Sequence, residues 1–346
     1  MLERTAPIDV GALTSWMDQT NIGAGPLSDF ELLTGGTQNV LLRFSRSSVS
    51  YVLRRGPEFL RPGSNEAIRR EMRVLAALAE TEVPHPRLVA ACGDESVLGD
   101  AVFYLMEPIN GVNPSVMLAP VQAKSADVRH KMGLHAVEAL TKLGEVDHER
   151  VGLGDFGHPD GFLERQVPRW MAELEGYHRI SGYPGQSIPD LEVVAKWLEA
   201  NRPPSFLPGM MHGDYHLANL LYCWEGPELA AIVDWEMCTV GDPLLDLGWL
   251  LATWTGRHQV DVGGALIKAG GLPTKAELIA HYGERSVRDL SAIAWYEVLA
   301  CFKLGILLEG TYARACAGDA PREVGDRLHA TTLVLFQRAH QSIAGT

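Results

Sequence analysis

One stretch decides the fold of this chain: His212-Gly213-Asp214-Tyr215-His216-Leu217-Ala218-Asn219. A second stretch, Ile232-Val233-Asp234-Trp235-Glu236, follows it. Together they place a carboxylate, an amide five residues later and another carboxylate twenty residues after the first, each beside an apolar, strand-like segment. Phosphoryl transfer needs such a set, because one Asp orients the attacking hydroxyl while an Asn and a further Asp hold the magnesium ion that neutralises the phosphates.

The spacing therefore predicts three catalytic residues, Asp214, Asn219 and Asp234, of which Asn219 and Asp234 are also magnesium ligands. The Asp-x4-Asn interval is that of the protein-kinase catalytic loop. Glu236 is a further metal ligand in this interpretation, directly or through water; a solvated acid at a strand end is the alternative. Asp246, one turn into the next predicted helix, is expected to accept hydrogen bonds and brace the loop.

The histidines of the same stretch allow a different interpretation, a metallohydrolase whose zinc is held by His212, His216 and Asp214. The two histidines fall in a predicted loop and lack the Glu of a zinc-hydrolase helix, which disfavours a zinc site. We expect instead that His212 is a buried, hydrogen-bonded support of the loop, because kinase chemistry needs no second base.

Composition limits the class of protein. With 346 residues, 46% hydrophobic and 21% charged, the chain can bury a large core and form two lobes. A net charge of -13 disfavours nucleic-acid binding. Five scattered cysteines without C-x-x-C, and no visible signal peptide, indicate a cytoplasmic protein with reduced thiols. The apolar stretch Leu290 to Gly310 contains Glu297 and Lys303, so a buried helix is expected there rather than a membrane span.

The order of local patterns predicts an α+β, bilobal, protein kinase-like fold with a small antiparallel-sheet N-lobe and a larger, mainly helical C-lobe. A hairpin is expected within residues 30–55, and Ser64 is expected to cap a helix running to about Glu80. Two strands follow at 87–92 and 101–107, and the pattern is helical beyond Pro108. The predicted boundaries are 1–106 for the N-lobe, 107–113 for the hinge and 114–346 for the C-lobe.

The kinase template also predicts a nucleotide site. Strand alternation places Val52 and Arg54 on one face, so Val52 can cover the base while Arg54 reaches phosphate in the place of the usual Lys. Glu71, seventeen residues later in the predicted helix, is the expected partner of Arg54, although both can also be ordinary surface residues. The remaining nucleotide contacts are predicted to come from Gly35, Gly36, Thr37, Met106, the carbonyl of Glu107 and the amide of Ile109.

The segment Gly152-Leu153-Gly154-Asp155-Phe156-Gly157 satisfies G-x-G-x-x-G and also contains the kinase triplet Asp-Phe-Gly. No apolar strand precedes it and His158-Pro159 follows where a helix should begin, so a dinucleotide site is not expected. The triplet lies upstream of Asp214, whereas the metal-binding triplet of a kinase must follow the catalytic loop.

These residues together resemble the aminoglycoside phosphotransferase and choline kinase-like family, over roughly residues 25–340. Tyr51-Val52-Leu53-Arg54-Arg55 and Arg165-Gln166-Val167-x-Arg169-Trp170 look closest to the kinase domains associated with acyl-CoA dehydrogenases, in which Arg commonly replaces the lysine. The resemblance implies ATP or GTP with Mg²⁺, and the hydroxyl of a small molecule as acceptor. The branch is linked to phosphorylation of hydroxyacyl-CoA thioesters.

Besides the metallohydrolase, three functions remain open. A hydroxyacyl-CoA kinase would use cationic and aromatic side chains for the CoA phosphates and adenine, and the available ones are Arg165, Arg169, Trp170 and Arg179. An aminoglycoside or other amino-alcohol kinase would need several carboxylates in one pocket, and those available are Asp155, Asp160, Glu164, Glu173 and Glu175. The third is a nucleotide-binding module without transferase activity, which retention of all three oxygen ligands disfavours.

Overall fold

The computed structural model describes residues 8–33, 39–57, 59–185, 188–254 and 264–345. Its elements in chain order are α1 (Val10–Gln19), β1 (Leu27–Leu32), β2 (Val40–Arg46), β3 (Val49–Arg55), α2 (Ser64–Leu78), β4 (Leu88–Cys92), β5 (Phe103–Met106), α3 (Pro120–Lys124), α4 (Ala126–Gly144), α5 (Gln166–Tyr177), α6 (Leu191–Ala200), β6 (Gly209–Met211), β7 (Leu220–Tyr222), β8 (Leu229–Ile232), β9 (Thr239–Gly241), α7 (Leu244–Thr253), α8 (Gly264–Ala269), α9 (Lys275–Gly283), α10 (Ile293–Ala317) and α11 (Arg322–Ala344).

The first five strands form one antiparallel sheet in the order β1-β2-β3-β5-β4. Strand alternation divides its side chains between two helices. Leu53 and Phe103 are fully buried in the cluster that includes α1, whereas Tyr104 packs in the cluster that includes α2. Arg54, next to Leu53 in the strand, therefore points to the α2 side, where it contacts Glu71. The sheet thus presents Arg54 to the helix that carries its partner.

Helix α2 differs in detail from the prediction. It begins at Ser64 and ends at Leu78, and the cap position is Gly63, whose φ of 86° is left-handed. The hydroxyl of Ser64 accepts a hydrogen bond from the Arg61 amide at 3.0 Å and closes the preceding turn. The prediction that Ser64 caps the helix is therefore wrong, because the hydroxyl bonds backward along the chain.

The rest of the chain is mainly helical and packs around α10, which lies against α5, α6, α7 and α11. Helix α10 covers most of the apolar stretch for which a buried helix was predicted, and most of its residues are buried. Across the ranges described above, no helix combines the length and apolarity needed to cross a membrane.

Two short antiparallel pairs align the catalytic stretches. Strand β6 pairs with β9, and β7 pairs with β8. Each of the two stretches contains a 3-10 helix, Leu217–Asn219 in the first and Trp235–Met237 in the second. The amide of Val233 donates to the carbonyl of Asn219 at 2.9 Å, so the two stretches lie side by side.

Candidate functional site

The loop that carries Asp214 is fixed by backbone hydrogen bonds. The carboxylate of Asp246 accepts the amides of His212 and Gly213, the latter at 2.8 Å. His212 is fully buried, and its Nε2 bonds to the carbonyl of Val233 at 3.0 Å. Gly213 has a φ of 87°, and a Cβ there would lie 2.5 Å from the carbonyl oxygen of Met237. The predicted roles of Asp246 as a brace and of His212 as a buried support are confirmed.

Within this loop, Asp214 and Asn219 contact each other directly. Asn219 Nδ2 donates to the main-chain oxygen of Asp214 at 3.0 Å and to its Oδ2 at 3.1 Å. His216 accepts the Ala218 amide on Nδ1, and its Nε2 lies 3.3 Å from Asp214 Oδ1. Burial alone would raise the pKa of Asp214, but the hydrogen bond and charge of His216 hold that pKa well below its usual range. Asp214 is therefore an ionised acceptor.

Arg54 joins the sheet to the C-terminal site residues. Its Nε and Nη2 lie 2.7 and 2.8 Å from the two carboxylate oxygens of Glu71, and Tyr104 donates to the same carboxylate at 2.8 Å. Nη2 also donates to Asp234 Oδ1 at 2.7 Å. Burial would lower the pKa of Arg54, but the carboxylates of Glu71 and Asp234 outweigh it and raise that pKa. The guanidinium thus remains charged between two acidic groups.

Three carboxylates gather around this guanidinium. Glu71, Asp234 and Glu236 each offer an oxygen, and the three oxygens lie within 4.8 Å of one another. Burial, with the neighbouring charge of Asp234, raises the pKa of Glu236 to about 7. Such a set of oxygen donors fits a hard divalent cation such as Mg²⁺. The pairing of Glu71 with Arg54 was predicted from the sequence, but the membership of Glu71 in this carboxylate cluster was not.

Among the described residues, this acidic cluster is the one group of three or more carboxylate, thiol or imidazole side chains whose ligand atoms lie within 4.8 Å of one another, and neither histidine of the catalytic stretch belongs to it. His212 uses Nε2 on the Val233 carbonyl, and its Nδ1 lies 3.4 Å from the Asp214 amide. Both ring nitrogens of His212 are thus engaged within the loop, which gives no support to the zinc interpretation.

Two of the residues predicted to contact the nucleotide base lie on the inner strands β3 and β5 of the five-stranded sheet, and the other two follow β5 in the chain. Val52 and Met106 are directly opposite each other in the β3–β5 pair. The amide of Glu107 donates to the carbonyl of Arg87 at 2.9 Å, and Ile109 is half-buried just beyond. The structure thus brings Val52 and Met106 together, with Glu107 and Ile109 directly after Met106 in the chain. The following predicted residues lie outside the described part of the chain: Gly35, Gly36 and Thr37.

A cavity of about 920 Å³ opens beside the catalytic loop and is lined by Gly213 and Glu236. Its charged lining consists of Arg70, Arg165, Arg169, Lys303, Asp155, Glu164 and Glu236. Its aromatic lining consists of Phe156, Phe162 and Trp170. A cavity of this size accommodates a small-molecule ligand.

Residues 29–284 match the model of the APH phosphotransferase enzyme family. The chain belongs to this family. It has the bilobal, kinase-like fold that the sequence predicted.

Solved APH-fold structures resemble the chain over almost its whole length. A Ralstonia eutropha protein, whose name alone places it among the aminoglycoside phosphotransferases, is 29% identical with a TM-score of 0.79; the match covers 96% of this chain and 99% of that one. An aminoglycoside phosphotransferase in complex with GDP and kanamycin is 16% identical with a TM-score of 0.63, covering 96% and 99% of the two chains. At 16% identity, the match to the second structure shows a shared fold alone.

Curated relatives of this APH chain include acyl-CoA dehydrogenase family member 11 of Rattus norvegicus, 29% identical over 91% of this chain and 41% of the relative. Family member 10 of Mus musculus is also 29% identical, over 78% of this chain and 25% of the relative. The chain therefore spans about two fifths or less of the length of these relatives.

Two features of the APH site were missed in the sequence. Lys303 was considered only as evidence against a membrane span, yet its Nζ donates to the carbonyl of Gly213 at 2.8 Å. Phe156, in the segment set aside as coincidence, lies under the guanidinium of Arg70 at 4.1 Å and lines the cavity. A lone lysine within an apolar helical stretch was the available signal for Lys303; nothing in the sequence indicated the contact between Arg70 and Phe156.

Proposed function

We propose that this kinase transfers the γ-phosphoryl group of ATP, with Mg²⁺, to a hydroxyl of a hydroxyacyl-CoA thioester. The charge of the cavity beside Asp214 carries the proposal. Of its described lining residues, four are cations and three are carboxylates. Two of those carboxylates already have partners: Asp155 pairs with Arg73 at 2.6 Å, and Glu164 lies 3.7 Å from Arg202. The cavity therefore suits an anionic acceptor such as a CoA ester.

The two sets of residues predicted for the acceptor differ in where they lie. From the set predicted for a CoA ester, Arg165, Arg169 and Trp170 line the cavity, while Arg179 is exposed elsewhere. Of the five carboxylates predicted for an aminoglycoside, only Asp155 and Glu164 line the cavity, and both have arginine partners. The acyl-CoA names of the curated relatives agree with the same substrate class.

In the proposed reaction, Asp214 accepts the hydrogen bond of the acceptor hydroxyl and takes up its proton as the oxygen attacks. Asn219, Asp234 and Glu236 would hold the metal, which neutralises charge on the phosphates when bound. Arg54 lies next to the same carboxylates, where its guanidinium can also contact the nucleotide phosphates. ATP is proposed as the donor, with GTP as the alternative.

The proposed nucleotide site lies between the lobes. Val52 and Met106 would cover the base, the Glu107 carbonyl and the Ile109 amide would pair with its edge, and residues 107–113 would act as the hinge. Gly35, Gly36 and Thr37 are proposed to bring their backbone amides to the phosphates.

Side-by-side measurement of ATP consumption with hydroxyacyl-CoAs, aminoglycosides, choline and homoserine tests the acceptor. We expect turnover with a hydroxyacyl-CoA; activity on an aminoglycoside alone would contradict the proposal. Absence of Mg-dependent turnover with every compound would favour the silent nucleotide-binding module.

A pair of variants sharpens this test. Arg169→Ala should raise the KM for the CoA ester by about tenfold, the effect of one lost charged hydrogen bond, and leave the KM for ATP unchanged. Arg179→Ala is the matched control, because Arg179 is also an exposed arginine but lies outside the cavity lining. Equal effects of the two substitutions would refute the assignment of the cavity to the CoA moiety.

A further inference from the structure

A buried lysine lies behind the catalytic loop. Lys303, near the middle of α10, is 7% exposed. Its Nζ donates to the carbonyl of Gly213 at 2.8 Å and lies 4.4 Å from the ring centroid of Trp249 and 5.6 Å from that of Trp170. The ammonium group is therefore held by two aromatic faces and by the carbonyl of Gly213, the residue immediately before Asp214.

The charges around Lys303 come from three other elements. Asp214 on the catalytic loop and Asp246 on α7 attract its charge, whereas Arg169 on α5 repels it. Lys303 also lines the cavity proposed for the acceptor. Taking an ammonium group out of water is costly, and a methionine would fill the same space between two tryptophans without that cost. Core packing alone does not account for a lysine at this position.

We propose that Lys303 is a positioning residue of the kinase reaction: it holds the Gly213 carbonyl, and through this bond and its charge it keeps the adjacent Asp214 carboxylate oriented toward the acceptor hydroxyl. The hydrogen bond acts on the backbone of the loop, whose left-handed Gly213 already fixes the direction in which the chain enters Asp214. The amides of Gly213 and His212 are held from α7 by Asp246, and the Gly213 carbonyl is held from α10 by Lys303. The peptide groups before Asp214 are thus fixed from two helices.

The test compares Lys303→Met with Lys303→Arg, and with Lys196→Met as the control for an exposed lysine on α6. Phosphoryl transfer is measured with whichever hydroxyl compound the acceptor panel identifies, or as slow MgATP hydrolysis by water if none is turned over. Because Lys303 acts on the loop, the result does not depend on the acceptor being a CoA ester.

We expect Lys303→Met to lower kcat by about 10- to 100-fold, the usual effect of a small misplacement of a catalytic group. The dissociation constant for ATP, measured by calorimetry, should not change, which also shows that the variant is folded. Lys303→Arg should recover most of kcat because it keeps the charge and the donor. A kcat of Lys303→Met within twofold of the parent value would overturn the proposal.

The pH profile separates positioning from packing. Burial lowers the pKa of Lys303 to about 8, so the parent enzyme should lose activity above that pH as the ammonium becomes neutral. Lys303→Arg should keep its activity there, since guanidinium remains charged. The same alkaline decline in both Lys303 variants would assign the loss to another group and refute a role for the charge.

Discussion

Replacing Lys303 by methionine should make the protein more stable at neutral pH. Burial depresses the pKa of Lys303 from the ordinary 10.5 to about 8. The folded state therefore binds this proton more weakly than the unfolded chain does, so the charged lysine destabilises the fold below pH 8. This penalty disappears as the pH rises toward 10.5. Since a tenfold change in proton affinity is about 1.4 kcal/mol, the penalty is roughly 3 kcal/mol at pH 7 and falls to roughly 1 kcal/mol at pH 9.5.

Methionine also loses the hydrogen bond from the charged ammonium group to the Gly213 carbonyl, which is worth about 1.5 kcal/mol. We therefore expect Lys303→Met to be more stable than the parent by roughly 2 kcal/mol at pH 7 and nearly equal to it at pH 9.5. Urea unfolding followed by tryptophan fluorescence at both pH values measures the difference, with Lys196→Met as the control. A difference that does not change with pH, or a variant that is less stable at pH 7, would refute the reasoning.

Three further substitutions test the site. Asp214→Ala should reduce transfer by about 1,000-fold or more while leaving ATP binding nearly intact by calorimetry; unchanged transfer would exclude Asp214 as the proton acceptor. Arg54→Met leaves the carboxylate of Glu71 buried without its ion pair and should cost about 3–5 kcal/mol of unfolding free energy. The double variant, Arg54→Met with Glu71→Leu, should recover most of this loss. If Arg54→Met unfolds at the same urea concentration as the parent protein, the ion pair of Arg54 with Glu71 does not contribute this stability. Gly213→Ala should abolish turnover, because its Cβ would lie 2.5 Å from the carbonyl oxygen of Met237. The control is Gly99→Ala, at an open position with a φ of 62°, which should cost only backbone strain, about 1–3 kcal/mol. Equal effects of the two substitutions on turnover would show that the clash is unimportant.

The sequence predicted those parts of the site whose geometry follows from local spacing. Asp214 and Asn219 lie on one short loop, and strand alternation is enough to turn Arg54 toward the helix that carries Glu71. The bracing role of Asp246 was predictable for the same reason, because it lies one turn into the helix that follows the second stretch.

The missed features depend on packing between elements far apart in the chain. Lys303 and Gly213 are 90 residues apart, and the contact between them exists only because α10 packs beside α7 and α5. Arg70 reaches Phe156 across the boundary between α2 and the C-terminal region. Periodicity within one segment contains no information about such contacts. The mistaken cap at Ser64 has a more local cause: the backbone of Gly63 took the cap position, and the hydroxyl bonded to the preceding turn.

The pairing of β7 with β8 implies that the two intervals of the catalytic stretches tolerate insertion differently. Asp214 and Asn219 are joined by a loop that is hydrogen-bonded to itself, so an added residue between them would separate the two side chains. Between Asn219 and Asp234 lies a hairpin whose connection, residues 223–228, joins strands already held in register by their own hydrogen bonds. A longer connection adds little loop-closure entropy and need not move either end of the hairpin. The interval of five residues is thus a requirement of the chemistry, whereas the fifteen residues from Asn219 to Asp234 reflect the length of one hairpin.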